Sequence, residues 1–135
     1  MSAESITYLD SSAIVKLAVR EPESAELLSY LRRRRHLVSS ALARTEVARA
    51  LIPFGMAAQQ RGQEVLDRIE LIRVNDRVLT AAGAMLPADM RSLDAIHVAT
   101  ATILGTGLRQ FVTYDLRMAS AARARKLRVV SPTRQ

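Results

Sequence analysis

Short apolar runs that each end in a helix start restrict the fold of this chain more than any other feature. Residues 6–9 (ITYL) are too short for a helix and stop at Asp10-Ser11-Ser12, side chains that favour turns and N-caps. A helix follows at once through AIVKLAV. Glu21-Pro22-Glu23 starts the next one, because proline is tolerated in the first turn and acids there suit the helix dipole. Leu27, Leu28 and Leu31 supply its apolar stripe, and it ends in the run Arg32 to Arg35. HLVSS is a second strand, after which Ser39 or Ser40 is placed to cap a helix with Val47, Ala50 and Leu51 at helical spacing. Pro53, Phe54 and Gly55 interrupt that helix.

The same alternation continues to the end of the sequence. Residues 56–68 form an amphipathic helix, IELIRV a third strand, and residues 77–86 a helix stopped by Pro87. Another helix begins near Ser92 and stops at Gly105-Thr106-Gly107. FVTYD is a fourth strand, LRMASAARARK a helix, and RVV a last strand before the exposed tail SPTRQ. The expected architecture is a three-layer α/β/α arrangement, with four to five short, mainly parallel strands covered on both faces. A chain of 135 residues suffices for one core and not for two comfortable ones, so residues 1–135 are read as a single domain.

Composition removes several kinds of chemistry. The chain has no Cys, so disulfides, thiolate nucleophiles and zinc-thiolate clusters are excluded, while oxygen-ligand metal chemistry stays open. No apolar run approaches the roughly 18 residues of a membrane span, and the N-terminal segment lacks an export-signal pattern, so a soluble, cytoplasmic protein is expected. The formal net charge of +7 favours a polyanionic partner.

Four acids sit where acids are awkward: Asp10 ends ITYLD, Glu46 interrupts ALARTEVARALI, Asp94 opens DAIHVATATIL and Asp115 closes FVTYD. A carboxylate in or beside a core stays charged only if it is paired, hydrogen-bonded or metal-bound. Singly, each has a plain structural role: Asp10 and Asp115 as N-caps, Asp94 as a partner of the helix dipole, Glu46 in a pair with Arg49. Together they fit one rim, since parallel sheets bind ligands beyond the C-terminal ends of their strands. Four close negative charges repel one another and repel a polyanion, and a divalent cation relieves both conflicts.

The segments YLDSSAIVKL, ARTEVARAL, RSLDAIHVATA and FVTYDLRM, which carry the acids in the order Asp10, Glu46, Asp94, Asp115, resemble the four signature segments of PIN-domain nucleases. Within that family they look most like the VapC toxins of bacterial toxin-antitoxin pairs, and the resemblance spans nearly the whole chain. It implies an α/β/α fold and a Mg²⁺-dependent or Mn²⁺-dependent endoribonuclease, a hydrolase acting on RNA and leaving a 5′-phosphate and a 3′-hydroxyl. It further implies inhibition by a VapB-type antitoxin and assembly as a homodimer or a toxin-antitoxin hetero-oligomer. On this reading Asp10, Asp94 and Asp115 hold the metal, and Glu46 contacts a bound water or orients the nucleophile. Ser12 and Thr113, beside those ligands, are candidates for supporting hydrogen bonds. The chain departs from family members that add another acid after the fourth, because Leu116, Arg117 and Met118 follow Asp115. That weakens the donor set for a second ion.

Rival readings meet specific obstacles. A phosphotransferase of the haloacid-dehalogenase type wants a second Asp where Ser12 stands, and a dinucleotide binder needs a Gly-rich first turn that DSSA lacks. The remaining alternative is a non-catalytic PIN-like RNA-binding or protein-interaction domain. His36 and His97 form no spaced zinc motif, and His97 is expected to be a packed helix residue. The Arg32 to Arg35 run reads as a solvated face, whereas Arg91 and Arg117 are better placed to meet substrate or an antitoxin carboxylate. The stretch around Leu51, Ile52, Phe54 and Met56 reads equally as core, partner groove or dimer face.

Overall fold

The computed structural model describes residues 5–134. Five strands, β1 (Ile6–Leu9), β2 (His36–Ser40), β3 (Glu70–Ile72), β4 (Leu108–Val112) and β5 (Val129–Val130), form one sheet in the order β3-β2-β1-β4-β5. Every pairing is parallel. Parallel neighbours require crossovers, which the helices supply. They are α1 (Ser11–Ala18), α2 (Ser24–Leu31), α3 (Ala43–Leu51), α4 (Met56–Leu66), α5 (Asp76–Gly83), α6 (Ser92–Ile103) and α7 (Leu116–Ala124). None of the described helices is long and apolar enough to cross a membrane.

Side chains alternate across a strand, so successive residues of the central strands feed different layers. Leu9 and Val112 pack with Ile14, Leu27, Val47 and Leu51 in one core, beneath α1 to α4. Tyr8 and Phe111 pack with Val38, Val98, Met118 and Ala122 in the other, beneath α6 and α7. The Tyr8 and Phe111 rings stack across the β1–β4 pair with centroids 4.9 Å apart. These two cores make the three layers expected from the strand-helix alternation.

The chain runs outward from β1 to β2 and β3 on one side, then crosses back to lay β4 and β5 on the other. The strand order therefore reverses at the β1–β4 pair. Such a switch point opens a crevice beyond the C-terminal strand ends, because the connections leave β1 and β4 in opposite directions. Asp10 and Thr113 follow those two strands directly.

Several local readings need correction. Leu28 is 54% exposed, so the α2 stripe is carried by Leu27 and Leu31, both buried. Ala50 lies on the solvent side of α3, leaving Val47 and Leu51 to face the core. Neither Ser39 nor Ser40 caps α3 from its N-cap position; Leu42 stands there without a side-chain bond. Ser40 Oγ instead accepts from the Leu42 N–H and closes the turn before the helix. The tail is partly packed: Tyr114 Oη donates to the Pro132 carbonyl at 2.6 Å, and Ser131 Oγ donates to the Thr113 carbonyl. Gln135 lies outside the described residues. The apolar stretch after α3 divides, since Leu51 is fully buried while Ile52, Phe54 and Met56 are 55%, 56% and 85% exposed.

At Gly62, α4 packs directly on side chains of α3. A Cβ there would stand 2.4 Å from Leu51 Cδ1, well inside contact distance. Helical propensity alone favours Ala by roughly 0.5–1 kcal/mol. Overpacking a tight core costs about 1–3 kcal/mol, so the packing effect should win. Gly62→Ala is expected to lower stability by about 1 kcal/mol in urea unfolding. In a Leu51→Ala background the same substitution should raise stability, and equal effects in both backgrounds would rule out this contact as the reason for glycine.

Candidate active site

Asp10 leaves β1 and caps α1. Its Oδ1 accepts the Ala13 N–H at 3.1 Å and the Ser12 hydroxyl at 2.7 Å, while Oδ2 accepts from Thr113 Oγ1. The residue is 2% exposed. Burial raises its carboxyl pKa, and the bonds from Thr113, Ser12 and Ala13 partly oppose that rise without cancelling it. Capping and rim position are therefore one arrangement: the strand end that needs a cap is the strand end that faces the crevice. Ser12 Oγ also accepts from the Tyr114 N–H at 3.0 Å, which fixes the loop after β4 to the start of α1.

Asp115 lies three residues beyond β4, further out than a strand ending in FVTYD would place it. It caps α7, with Oδ1 accepting the Arg117 N–H at 2.8 Å and the Met118 N–H at 3.2 Å. Thr113 Oγ1 accepts from the Asp115 N–H at 3.0 Å. Thr113 thus touches both Asp10 and Asp115, and the chain folds this way locally because a hydroxyl after a strand can satisfy the backbone of the next turn.

Asp94 occupies the first turn of α6. Its Oδ2 is buried and takes no hydrogen bond among the described residues. Burial raises its pKa, the Asp115 charge raises it further, and Arg91, His97 and Arg117 pull the other way without winning. The two carboxylates are therefore electrostatic neighbours with Arg91 and Arg117 around them.

Glu46 reaches the rim from α3 and does not pair with Arg49. Its Oε1 accepts the Ser11 hydroxyl at 2.6 Å and bonds His97 Nε2 at 2.6 Å. Burial opposes its charge, but the bonds from His97 and Ser11 and the His97 charge outweigh burial and hold its carboxyl below the ordinary value. His97 is 1% exposed and its Nδ1 meets Tyr8 Oη at 2.7 Å. The imidazole is a packed helix residue, as its position one turn after Asp94 implies, and it is also a hydrogen-bond bridge. Tyr8 and the direct tie between His97 and Glu46 have no signature in the sequence beyond the spacing of Asp94 and His97 on one helix.

The structure thus links the four acids through a short set of contacts. Thr113 joins Asp10 to Asp115, charge couples Asp115 to Asp94, α6 carries Asp94 and His97, and His97 bonds Glu46. Among the described residues no three His, Cys, Asp or Glu side chains already form a closed metal cage. The donor chemistry nonetheless fits a hard cation: all candidate donors are carboxylate oxygens, and Asp94 presents one that is buried and without a partner.

Residues 7–124 match the PIN domain family. This chain is a PIN-domain protein. Ribonuclease VapC46 of Mycobacterium tuberculosis strain H37Rv is 55% identical over 126 residues, covering 93% of this chain and 97% of that protein. Ribonuclease VapC47 of strain CDC 1551 is 36% identical over 121 residues, covering 86% of this chain and 89% of its own length. Among solved structures, a sarcin-ricin-loop-cleaving toxin, VapC20 of Mycobacterium tuberculosis, matches with a TM-score of 0.69 at 14% identity, covering 85% of this chain and 94% of that one. A toxin-antitoxin complex from Klebsiella pneumoniae matches with a TM-score of 0.68 at 18% identity, covering 96% and 99% of the respective chains. Asp10, Glu46, Asp94 and Asp115 all lie inside the matched segment.

The raised Asp94 pKa has a stability consequence with a definite sign. A carboxyl that binds its proton more tightly folded than unfolded stabilises the fold at low pH and loses that contribution as pH rises through the folded pKa. Asp94→Asn is therefore expected to raise the melting temperature of metal-free protein at neutral pH, with the advantage fading toward the ordinary carboxylate range. Scanning calorimetry in EDTA across that pH window checks it. A variant less stable than wild type at neutral pH would contradict the repulsion described here.

Proposed function

We propose that this chain is a Mg²⁺-dependent endoribonuclease acting as one domain over residues 1–135, with Mn²⁺ an effective substitute. The observation that carries the reading is the unpartnered, buried Oδ2 of Asp94, beside the like charge of Asp115 and on the rim where buried Asp10 ends β1. Left without a cation, that arrangement is electrostatically unfavourable, and folding alone gives no reason to build it. The ribonuclease names of relatives at 36% and 55% identity support the same reaction class.

Asp10, Asp94 and Asp115 would hold the ion. Mg²⁺ is commonly bound through one or two carboxylates plus substrate phosphate and water, so an open set of acids suits it better than a closed cage. When bound, the ion supplies Lewis acidity toward phosphoryl oxygens and makes water a better nucleophile near neutral pH. The protein's own groups do the rest. Ser12 and Thr113 fix the Asp10 carboxylate, and Thr113 also orders the turn that carries Asp115. Glu46, kept ionised by Ser11 and His97, accepts a hydrogen bond from the attacking water and so orients it. Arg91 and Arg117, whose charges bear on Asp94, attract the RNA backbone toward a centre that its acids would otherwise repel. Hydrolysis on this route leaves a 5′-phosphate and a 3′-hydroxyl.

The biological setting we assign is cytoplasmic, as the toxin of a VapBC pair. Structural neighbours include toxin-antitoxin complexes, which supports an antitoxin partner of the VapB type. The exposed side chains of Ile52, Phe54 and Met56 offer an apolar face for assembly, with the antitoxin or with a second copy of the chain.

Asp10→Asn, Asp94→Asn and Asp115→Asn are each expected to lower the rate of Mg²⁺-dependent RNA cleavage by about 10²-fold or more while the far-UV circular dichroism stays unchanged. EDTA should abolish wild-type cleavage and added Mg²⁺ or Mn²⁺ restore it. RNA binding without any metal-dependent cleavage would instead identify a non-catalytic RNA-binding domain.

A further inference from the structure

Four side chains from four different elements form one hydrogen-bonded line through the protein: Tyr8 of β1, His97 of α6, Glu46 of α3 and Ser11 of α1. Tyr8 is fully buried and His97 is 1% exposed, whereas the Glu46 side chain is 25% exposed. The line therefore starts in the core beneath α6 and ends at the crevice. Its distances are 2.7 Å from Tyr8 Oη to His97 Nδ1, 2.6 Å from His97 Nε2 to Glu46 Oε1, and 2.6 Å from Ser11 Oγ to the same Oε1.

The chemistry of the groups fixes the direction of the bonds. An ionised carboxylate only accepts, so Nε2 carries a hydrogen and donates it to Glu46. The Tyr8 hydroxyl occupies the other ring nitrogen, at 2.7 Å. The Tyr8 and His97 rings also meet edge to face, with centroids 5.9 Å apart and planes at 81°. The imidazole is thus held at both nitrogens, a rigid donor rather than a mobile one.

Both donors fall on one oxygen. Oε1 is tied by His97 and Ser11, while no hydrogen bond among the described residues reaches Oε2. A glutamate has three side-chain torsions, and tying one carboxylate oxygen from two directions removes most of that freedom at the partly exposed end.

We propose that His97, braced by Tyr8, is a positioning residue that locks Glu46 through Oε1 and leaves Oε2 as the single acceptor available to the attacking water. This rests on the ribonuclease reading for what Glu46 is positioned to do. It explains why a buried histidine sits one turn behind Asp94: α6 then places a ligand and a brace on the same helix, so the metal-binding acid and the water-orienting acid keep a fixed relation. His97 touches neither substrate nor metal in this scheme and acts only through Glu46.

The test compares His97→Gln with His97→Leu. Gln can present an N–H near the position of Nε2, whereas Leu fills the space without a donor. His97→Leu is expected to lower kcat for Mg²⁺-dependent RNA cleavage by about 10-fold to 100-fold with little change in KM, and His97→Gln to recover kcat to within about threefold of wild type, because misorientation of a catalytic group costs rate more than binding. Equal kcat in the two variants overturns the positioning role. Nitrogen-15 NMR of metal-free protein supplies an arm that needs no turnover: the His97 Nε2–H should appear as a slowly exchanging, hydrogen-bonded proton that is lost in Glu46→Ala. Its absence from folded wild type, or its persistence in Glu46→Ala, also overturns the inference. If wild type cleaves no RNA, the ribonuclease reading fails by itself, and the NMR arm still decides whether His97 locks Glu46.

Discussion

The burial of one charged group at the end of the central strand governs the rest of the molecule. Asp10 is almost completely out of solvent, and its carboxylate is kept there by three donors from its own turn and the neighbouring one. Ser12 and Ala13 are local donors, but the third exists only because β1 and β4 lie side by side in parallel, which brings Thr113 against Asp10 across 103 residues of sequence. A shift of one residue in that register would turn Tyr8 and Leu9 into each other's layers and carry Thr113 away from Asp10. Register, core composition and active-site geometry are thus one constraint.

The fold also accepts repulsion at the rim. Two carboxylates, Asp94 and Asp115, sit close enough to raise one pKa, and one buried oxygen has no partner. Four other buried side-chain atoms, Tyr30 Oη, Arg34 Nε, Ser39 Oγ and Gln110 Oε1, also lack a partner among the described residues. What sets the Asp94 oxygen apart is the like charge of Asp115 beside it, while the neighbouring acids Asp10, Asp115 and Glu46 are all hydrogen-bonded. Glu46, whose pKa is lowered by its donors, and Asp94, whose pKa is raised by burial and by Asp115, are thus set apart electrostatically before any ligand is considered.

A basic protein with an acidic centre resolves a conflict that neither property resolves alone. An excess of positive charge, almost all of it arginine, favours a polyanion, while the clustered acids would repel one. Arg91 and Arg117 stand at the boundary and temper the Asp94 charge. The apolar exposed residues after α3, Ile52, Phe54 and Met56, lie in a separate stretch of the chain from the four acids.

The strand-helix alternation was legible because it rests on local signals: a short apolar run, a capping residue, a terminating glycine or proline. The same signals showed Asp10, Asp94 and Asp115 near element ends, and the family resemblance named Glu46 with them. What stayed hidden depended on distance along the chain. Glu46 and His97 are 51 residues apart, Tyr8 and His97 are 89 apart, and Ser12 and the Tyr114 N–H are 102 apart. No local pattern tells a glutamate whether its partner is Arg49 one turn away or a histidine on another helix; the strand order decides, by bringing a side chain of α3 and one of α6 to the same rim. The exposure of Leu28 and Ala50 and the packing of Ser131 and Pro132 were hidden for the same reason, since helical spacing marks an apolar side chain but not the neighbour that covers it. Elements, layers and the identity of the acids follow from local residue order, because propensity and periodicity act within a few residues. Which of those acids are bonded, which oxygen is left without a partner and which histidine meets Glu46 follow from how the elements assemble, because those outcomes depend on the register of β1 with β4 and on the reversal of strand order beside it.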